Sequence, residues 1–123
     1  MVRLFLFFGS SAGLLAVFTG AFGAHLLKGQ LSATMLATFE VGVRYHFYHA
    51  LALFGTAWAA HHWPSIWTIT AGWAFIAGII IFSGSLYILS LSGIGWLGAI
   101  TPIGGFCFIV GWFCLAIAAL KST

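Results

Sequence analysis

The residues able to do chemistry are concentrated in one short string, Phe39-Glu40-Val41-Gly42-Val43-Arg44-Tyr45-His46-Phe47-Tyr48-His49. It holds the only acidic side chain of the protein, one of four cations, two of five histidines and two of three tyrosines. From Tyr45 to Leu120 there is no Asp, Glu, Lys or Arg. Glu40 and Arg44 stand at i, i+4 in the favourable acid-before-base order. Beside hydrocarbon that spacing matters more than in water, because an unpaired Arg at the centre of a span costs about 2.5–3.5 kcal/mol on insertion scales. One reading is a paired, snorkelling anchor that sets the depth of its helix. Another is an anion or lipid-headgroup site built on Arg44 and oriented by Glu40. A proton-relay carboxylate is the third.

His46 and His49, at i, i+3, lie about 60° apart around a helix and could share a metal. Two histidines make an incomplete zinc site, however, and no further carboxylate exists to complete it. A bis-histidine haem would need ligands from different helices, for example His25 with His49. Hydrogen bonding within a bundle is the competing fate of such residues. No nucleophile–base–acid set, phosphate loop, dinucleotide fingerprint or metalloprotease motif occurs. Ser83-Gly84-Ser85 reads as a packing notch rather than a nucleophile, since serine back-bonds and packs readily in membrane helices. The expectation is a protein that is not an enzyme and carries no cofactor or metal. Cys107 and Cys114 are about 10 Å apart along a helix axis, beyond disulfide reach, and read as small apolar packing residues.

The elements that position these residues are built for hydrocarbon. Hydrophobic residues make up 63% of the 123 and charged residues 4%, with a mean hydropathy of +1.15. Soluble domains run near a quarter charged, so a water-soluble globule is excluded and a polytopic integral membrane protein indicated. At about 20 residues per span, the length suits one domain, 1–123, of roughly four spans. Arg3, Lys28, Arg44 and Lys121 form no basic run, so nucleic acid is not an expected partner. The N-terminal segment carries Arg3 and a small-x-small triplet, Ala21-Phe22-Gly23, as a signal peptide would. Its apolar run exceeds the usual 7–15-residue h-region and is long enough to span, so a retained first transmembrane helix is expected.

Spans are expected at about 4–26, 44–62, 66–89 and 102–120. Lys28 suits the end of the first helix and Gly29 its left-handed C′ position. Small residues at three- and four-residue spacing in that helix, from Gly9 to Ala24, suit a close helix–helix seam. Ser32 should cap a second helix running to about His62, about 45 Å long and therefore longer than a bilayer core. Its first part is amphipathic, with Met35, Leu36, Phe39 and Val43 on one side, and a bend near Gly42 is considered. Pro64 ends it in a tight hairpin, where Trp63 and Trp67 suit the membrane boundary. Phe82-Ser83-Gly84-Ser85-Leu86-Tyr87 is a polar interruption in the third span. Thr101-Pro102 reads as N-cap and first helical residue of the fourth; the alternative begins that helix near Trp96 and kinks it at Pro102.

With four spans both termini share one side. Arg3 and Lys121 lie there, against Lys28 and the Glu40/Arg44 pair, and the positive-inside rule favours cytoplasmic termini. Helix 1 then ends, helix 2 enters, helix 3 ends and helix 4 starts at one face. His25, Glu40, Arg44, Tyr45, Tyr48, His49, Ser83, Ser85, Tyr87 and Thr101 form the candidate polar cluster for lipid or partner binding.

Several strings carry a family resemblance. Gly20-Ala21-Phe22-Gly23-Ala24-His25, Phe39-Glu40 with Val43-Arg44-Tyr45, and Tyr48-His49-Ala50-Leu51-Ala52 are of this kind. So are Phe82-Ser83-Gly84-Ser85-Leu86-Tyr87, Leu97-Gly98-Ala99-Ile100-Thr101-Pro102 and Gly104-Gly105. Together, in this order and over nearly the whole chain, they resemble the small membrane family catalogued as domain of unknown function 423, which includes eukaryotic transmembrane protein 256. The resemblance implies an integral membrane protein of roughly four helices, bacterial in this short form and in the plasma membrane, and implies no activity, substrate or cofactor. The family pattern often has Gln at the position of His46, which weakens a metal role there.

The fold expected is an all-α, up-down four-transmembrane-helix bundle. The function expected is that of a non-enzymatic inner-membrane protein contributing to membrane or envelope integrity through lipid or protein contacts. The alternatives are a small transporter or channel component using the Glu40/Arg44/His cluster, and a haem- or metal-binding protein. Expected partners are membrane lipids and a second copy or another membrane protein; a pore at this chain length would need an oligomer.

Overall fold

Two serines and two glycines punctuate the chain. Ser32 Oγ accepts from Met35 N–H at 3.1 Å and starts a helix that runs unbroken over Ala33–His62. Ser65 and Thr68 form a reciprocal capping box at 3.3 and 3.2 Å, which satisfies two amides that would otherwise be orphaned after the hairpin at Pro64. Gly29 (φ 88°) and Gly93 (φ 73°) hold the left-handed backbone that closes the preceding helices.

The structure is a computed structural model that describes residues 1–122, in which helices joined by short turns are accompanied by one isolated bridge between Lys28 and Leu31. Helix α1 (Val2–Phe22) runs into a π turn (Gly23–Leu27), and α2 (Ala33–His62) follows. Helix α3 (Ile66–Gly78), a π turn (Ile79–Ser83) and α4 (Gly84–Ser92) make a third continuous rod; a 3-10 turn (Gly95–Ala99) and α5 (Thr101–Lys121) make the fourth. Three of these rods, Val2–Leu27, Ile66–Ser92 and Gly95–Lys121, are long and apolar enough to cross a membrane by length and composition.

Neighbouring rods run antiparallel. On α2, Leu53 lies opposite Gly9, Val43 opposite Gly20 and Phe39 opposite Gly23. Gly42 lies against Leu86 and Tyr87, while His49 lies near Phe75, so the third rod also runs against α2. Between the third rod and α5, Phe82 meets Gly104, Gly78 meets Phe108 and Phe75 meets Gly111. At Gly104 the obstacle is backbone: a Cβ there would sit 2.3 Å from the nitrogen of Phe82. With no hydrophobic drive between helices in lipid, such backbone approach supplies the packing. Phe5, Leu53, Ala71, Phe75 and Phe108 form the core. The outer surface is equally apolar, with Leu14, Phe18, Ile66, Ile109 and Leu120 each well over half exposed.

Two local expectations need correction. Thr101 is not an N-cap: the 3-10 turn leads into α5 without a side-chain cap, and the Thr101 hydroxyl lies 3.4 Å from the Leu97 carbonyl and 2.7 Å from Ser85 Oγ. The fourth rod therefore begins before Pro102, as in the alternative that starts it near Trp96. The third rod continues to Ser92, beyond the expected end near Leu89, and the Phe82–Tyr87 string straddles the junction of its π turn and α4. Gly42 lies within a continuous α2, where its missing side chain makes room for the Tyr87 ring.

Candidate functional site

Helix α2 packs on each of the other three rods, so its 3.6-residue period sends successive polar side chains to different neighbours. His46 and His49 diverge for this reason and do not share a ligand position.

His46 is buried, and its Nδ1 lies 2.8 Å from the Tyr87 hydroxyl, which lies 3.3 Å from Thr19 Oγ1. The single Thr19 hydroxyl hydrogen is directed to the Ala16 carbonyl at 3.1 Å. The Tyr87 hydroxyl thus bridges Thr19 and His46, since a phenol can both donate and accept. This chain ties α1, α2 and α4 together. Directly beside it the fully buried Ser83 donates to the Gly42 carbonyl at 2.7 Å, and Phe39 packs on Tyr87 with ring centroids 5.0 Å apart. Ser85 and Thr101 share a separate 2.7 Å hydrogen bond that joins α4 to α5.

His49 is held on all sides. Its Nδ1 lies 2.7 Å from the Tyr45 carbonyl and its Nε2 3.0 Å from Trp112 Nε1. An indole N–H only donates and a carbonyl only accepts, so Nδ1 carries the hydrogen and the Nε2 lone pair is taken by Trp112. The ring stacks on Phe108 with centroids 3.6 Å apart and planes 6° from parallel. Tyr45 and Tyr48, both partly exposed, continue this aromatic surface along an open groove of about 830 Å³ that reaches Phe82, Pro102 and Phe106. In this arrangement His49 has no free lone pair for a metal or haem iron. No group of three or more His, Cys, Asp or Glu side chains placed to hold a metal ion occurs among the described residues.

Glu40 and Arg44 are exposed and border a shallow notch of about 300 Å³ whose floor is Gly20, Gly23, Phe39 and Val43. Among the described residues no ion pair within 4.0 Å joins them, in contrast to the paired, snorkelling anchor expected. Two long, exposed side chains with no third group to hold them gain too little from one contact to fix a geometry. His25 also departs from expectation. Gly23 faces α2 and receives the Phe39 ring. His25, two residues on, is turned about 200° around the helix and is exposed among Phe18, Ala21, Phe22 and Leu26 of its own rod.

The ten sequence-selected residues therefore fall in separate places: Ser83 and Tyr87 at the three-rod junction, Ser85 with Thr101, His49 with Tyr45 and Tyr48, Glu40 with Arg44, and His25 alone. Thr19, His46 and Trp112 complete the networks and were not among the ten. Thr19 is marked only as a hydroxyl within an apolar helix. Trp112 follows Phe108 by four residues and so shares its face, but nothing in the sequence aims its N–H at His49.

Comparison with known proteins yields consistent matches. The profile of a family described as protein of unknown function (DUF423) matches residues 19–105. The chain is 49% identical over 121 residues to UPF0382 membrane protein YwdK of Bacillus subtilis, with 98% of each chain covered. It is 47% identical to UPF0382 membrane protein SAB0533 of Staphylococcus aureus and 44% to SH2409 of Staphylococcus haemolyticus, again over 98% of each chain. No solved structure matches.

Proposed function

Since the chain belongs to the DUF423 family, whose bacterial relatives are named as membrane proteins, we propose that it is a single-domain, four-transmembrane up-down bundle of the bacterial plasma membrane. In this reading it is not an enzyme; it contributes to membrane or envelope integrity by holding anionic lipid headgroups or a protein partner. Helix α2 crosses with the others despite its polarity: it lies alongside α1 from Phe39 to Phe54 and meets the third rod at Gly42, and its two central histidines are buried. The termini are cytoplasmic, with Arg3 and Lys121 on that side.

The observation that carries the reading is the exposed Arg44 beside the Gly20/Gly23 notch, a guanidinium not committed to Glu40. A guanidinium fork matches phosphate geometry and holds its charge at all relevant pH. The glycines leave room for a glycerol backbone to lie against α1. The separation of His25, Glu40, His49 and Tyr87 from one another gives less support to a continuous proton or ion path.

Native mass spectrometry of the protein released from bilayers containing phosphatidylglycerol and phosphatidylethanolamine tests this. Retention of phosphatidylglycerol that falls at least fivefold in Arg44→Ala, and by a smaller factor in Arg44→Lys, is expected. Equal retention of the two lipids, or retention unaffected by Arg44→Ala, overturns the headgroup reading. Proton or cation flux in liposomes that Glu40→Gln abolishes would replace it with transport.

A further inference from the structure

A second recess lies away from Glu40 and Arg44. It is a cleft of about 520 Å³ between α1 and the third rod, floored by α2, with walls that include Phe8, Leu15, Ile76 and Ile80. Leu15 and Ile80 are more than half exposed on the outer surface of the bundle, so the cleft opens sideways toward lipid rather than toward either end. The third rod reaches it through the π turn at Ile79–Ser83. Such wide turns interrupt the regular helical face and are frequent at functional sites.

The polar atoms inside the cleft are few and uncharged. His46 forms its hydrogen bond through Nδ1. His46 lines the cleft together with Ala12, whose backbone carbonyl its ring also approaches. Ser11 lines the same cleft from α1. No Asp, Glu, Lys or Arg contributes to the wall, so an ionic head would be desolvated there without a counter-charge. A predominantly apolar pocket of this size with a small number of placed polar groups is the usual form of a small-molecule site.

We propose that this cleft binds one membrane-dissolved amphiphile with an uncharged, hydrogen-bonding head, such as a long-chain alcohol, entering laterally from the bilayer. Its head hydrogen-bonds to His46 and Ser11, and its hydrocarbon tail lies along Phe8, Leu15 and Ile80. The Tyr87 and Thr19 hydroxyls fix the imidazole. The assignment is independent of Arg44 and of headgroup binding there.

Gly84 provides the test. It lines the cleft, has ordinary helical dihedrals, and a Cβ there would meet nothing within 4 Å. Gly84→Leu should therefore occupy the cleft without a backbone clash. Gly55, on α2 outside the cleft, has equally open space, so Gly55→Leu is the matched control. Purified protein in lipid nanodiscs is photolabelled with a diazirine-bearing hexadecanol, and the labelled peptides are mapped by mass spectrometry. Labelling is expected on residues 7–15 and 76–84, at least tenfold lower in Gly84→Leu, unchanged in Gly55→Leu, and at least fivefold weaker with the corresponding diazirine hexadecanoate. Labels spread evenly over the lipid-facing surface, or unaffected by Gly84→Leu, overturn the site. Equal labelling by the carboxylate overturns its preference for an uncharged head. If Gly84→Leu does not purify as folded protein, Ser11→Leu fills the cleft from the opposite wall and the same tenfold loss decides.

Discussion

Gly104 and Gly105 are adjacent on α5, yet they should respond oppositely to the same added methyl group. At Gly104 a Cβ would lie 2.3 Å from the nitrogen and 2.7 Å from the Cα of Phe82, both backbone atoms of the π turn. Carbon contacts are comfortable only near 3.5–4.0 Å, so α5 and the third rod must separate by roughly 1 Å. That gap weakens dispersion along the interface and disturbs the Gly78–Phe108 contact four residues away. Overpacking of this kind costs about 1–3 kcal/mol, and the rigid obstacle places Gly104→Ala at the upper end, about 3 kcal/mol. At Gly105 the nearest atom to a Cβ is Phe82 Cδ2 at 3.8 Å, an ordinary contact. Gly105→Ala should stay within about 0.5 kcal/mol of the parent, or gain slightly through helix propensity. Reversible unfolding by SDS titration in mixed micelles, followed by tryptophan fluorescence, measures both. A difference below about 0.5 kcal/mol between the two variants would refute backbone contact at Gly104 as the determinant of the α3–α5 spacing.

Two further outcomes are expected. Trp112→Phe keeps a ring against Phe75 but removes the donor to His49, costing about 1 kcal/mol in the same titration; ring ¹⁵N NMR should find the Nδ1–H tautomer of His49 in the parent protein, and a hydrogen on Nε2 there would contradict the geometry. For the Ser85–Thr101 bond, a double-mutant cycle of Ser85→Ala and Thr101→Val should give a coupling of about 0.6 kcal/mol, typical of interhelical hydrogen bonds in membranes; strict additivity would mean that the bond is not formed.

Local chemistry was legible in the sequence where it acts locally. Ser32 as cap, His62 as helix end, Pro64 as hairpin and Gly29 as the left-handed residue all depend on groups within a few positions, and each is found where expected. The same near-neighbour logic misassigned Thr101, whose hydroxyl has a partner on α4 that no local pattern reveals. The candidate site was less legible because α2 is central. On a peripheral helix the polar face is a single direction, but α2 has neighbours on several sides, so residues close in sequence part company. His46 and His49 go to opposite networks, and their closing partners, Tyr87 and Trp112, are chosen by packing. The placement of His25 shows the converse: sharing a membrane side is not sharing a site, because a helix end still has faces.

The distance in sequence between α2 and its hydrogen-bond partners has a consequence for how the protein is made. Tyr87 lies 41 residues after His46, and Trp112 lies 63 after His49. At about 5–20 residues per second, translation delivers these partners seconds after α2 has left the ribosome. During that interval α1 can cover α2 along one side only, and both imidazoles lack the groups that later satisfy them. The half-made chain is thus a polar helix in search of company, the kind of intermediate that an insertion machinery must shelter until the C-terminal hairpin arrives. Translation order, as much as final stability, limits which changes α4 and α5 can tolerate.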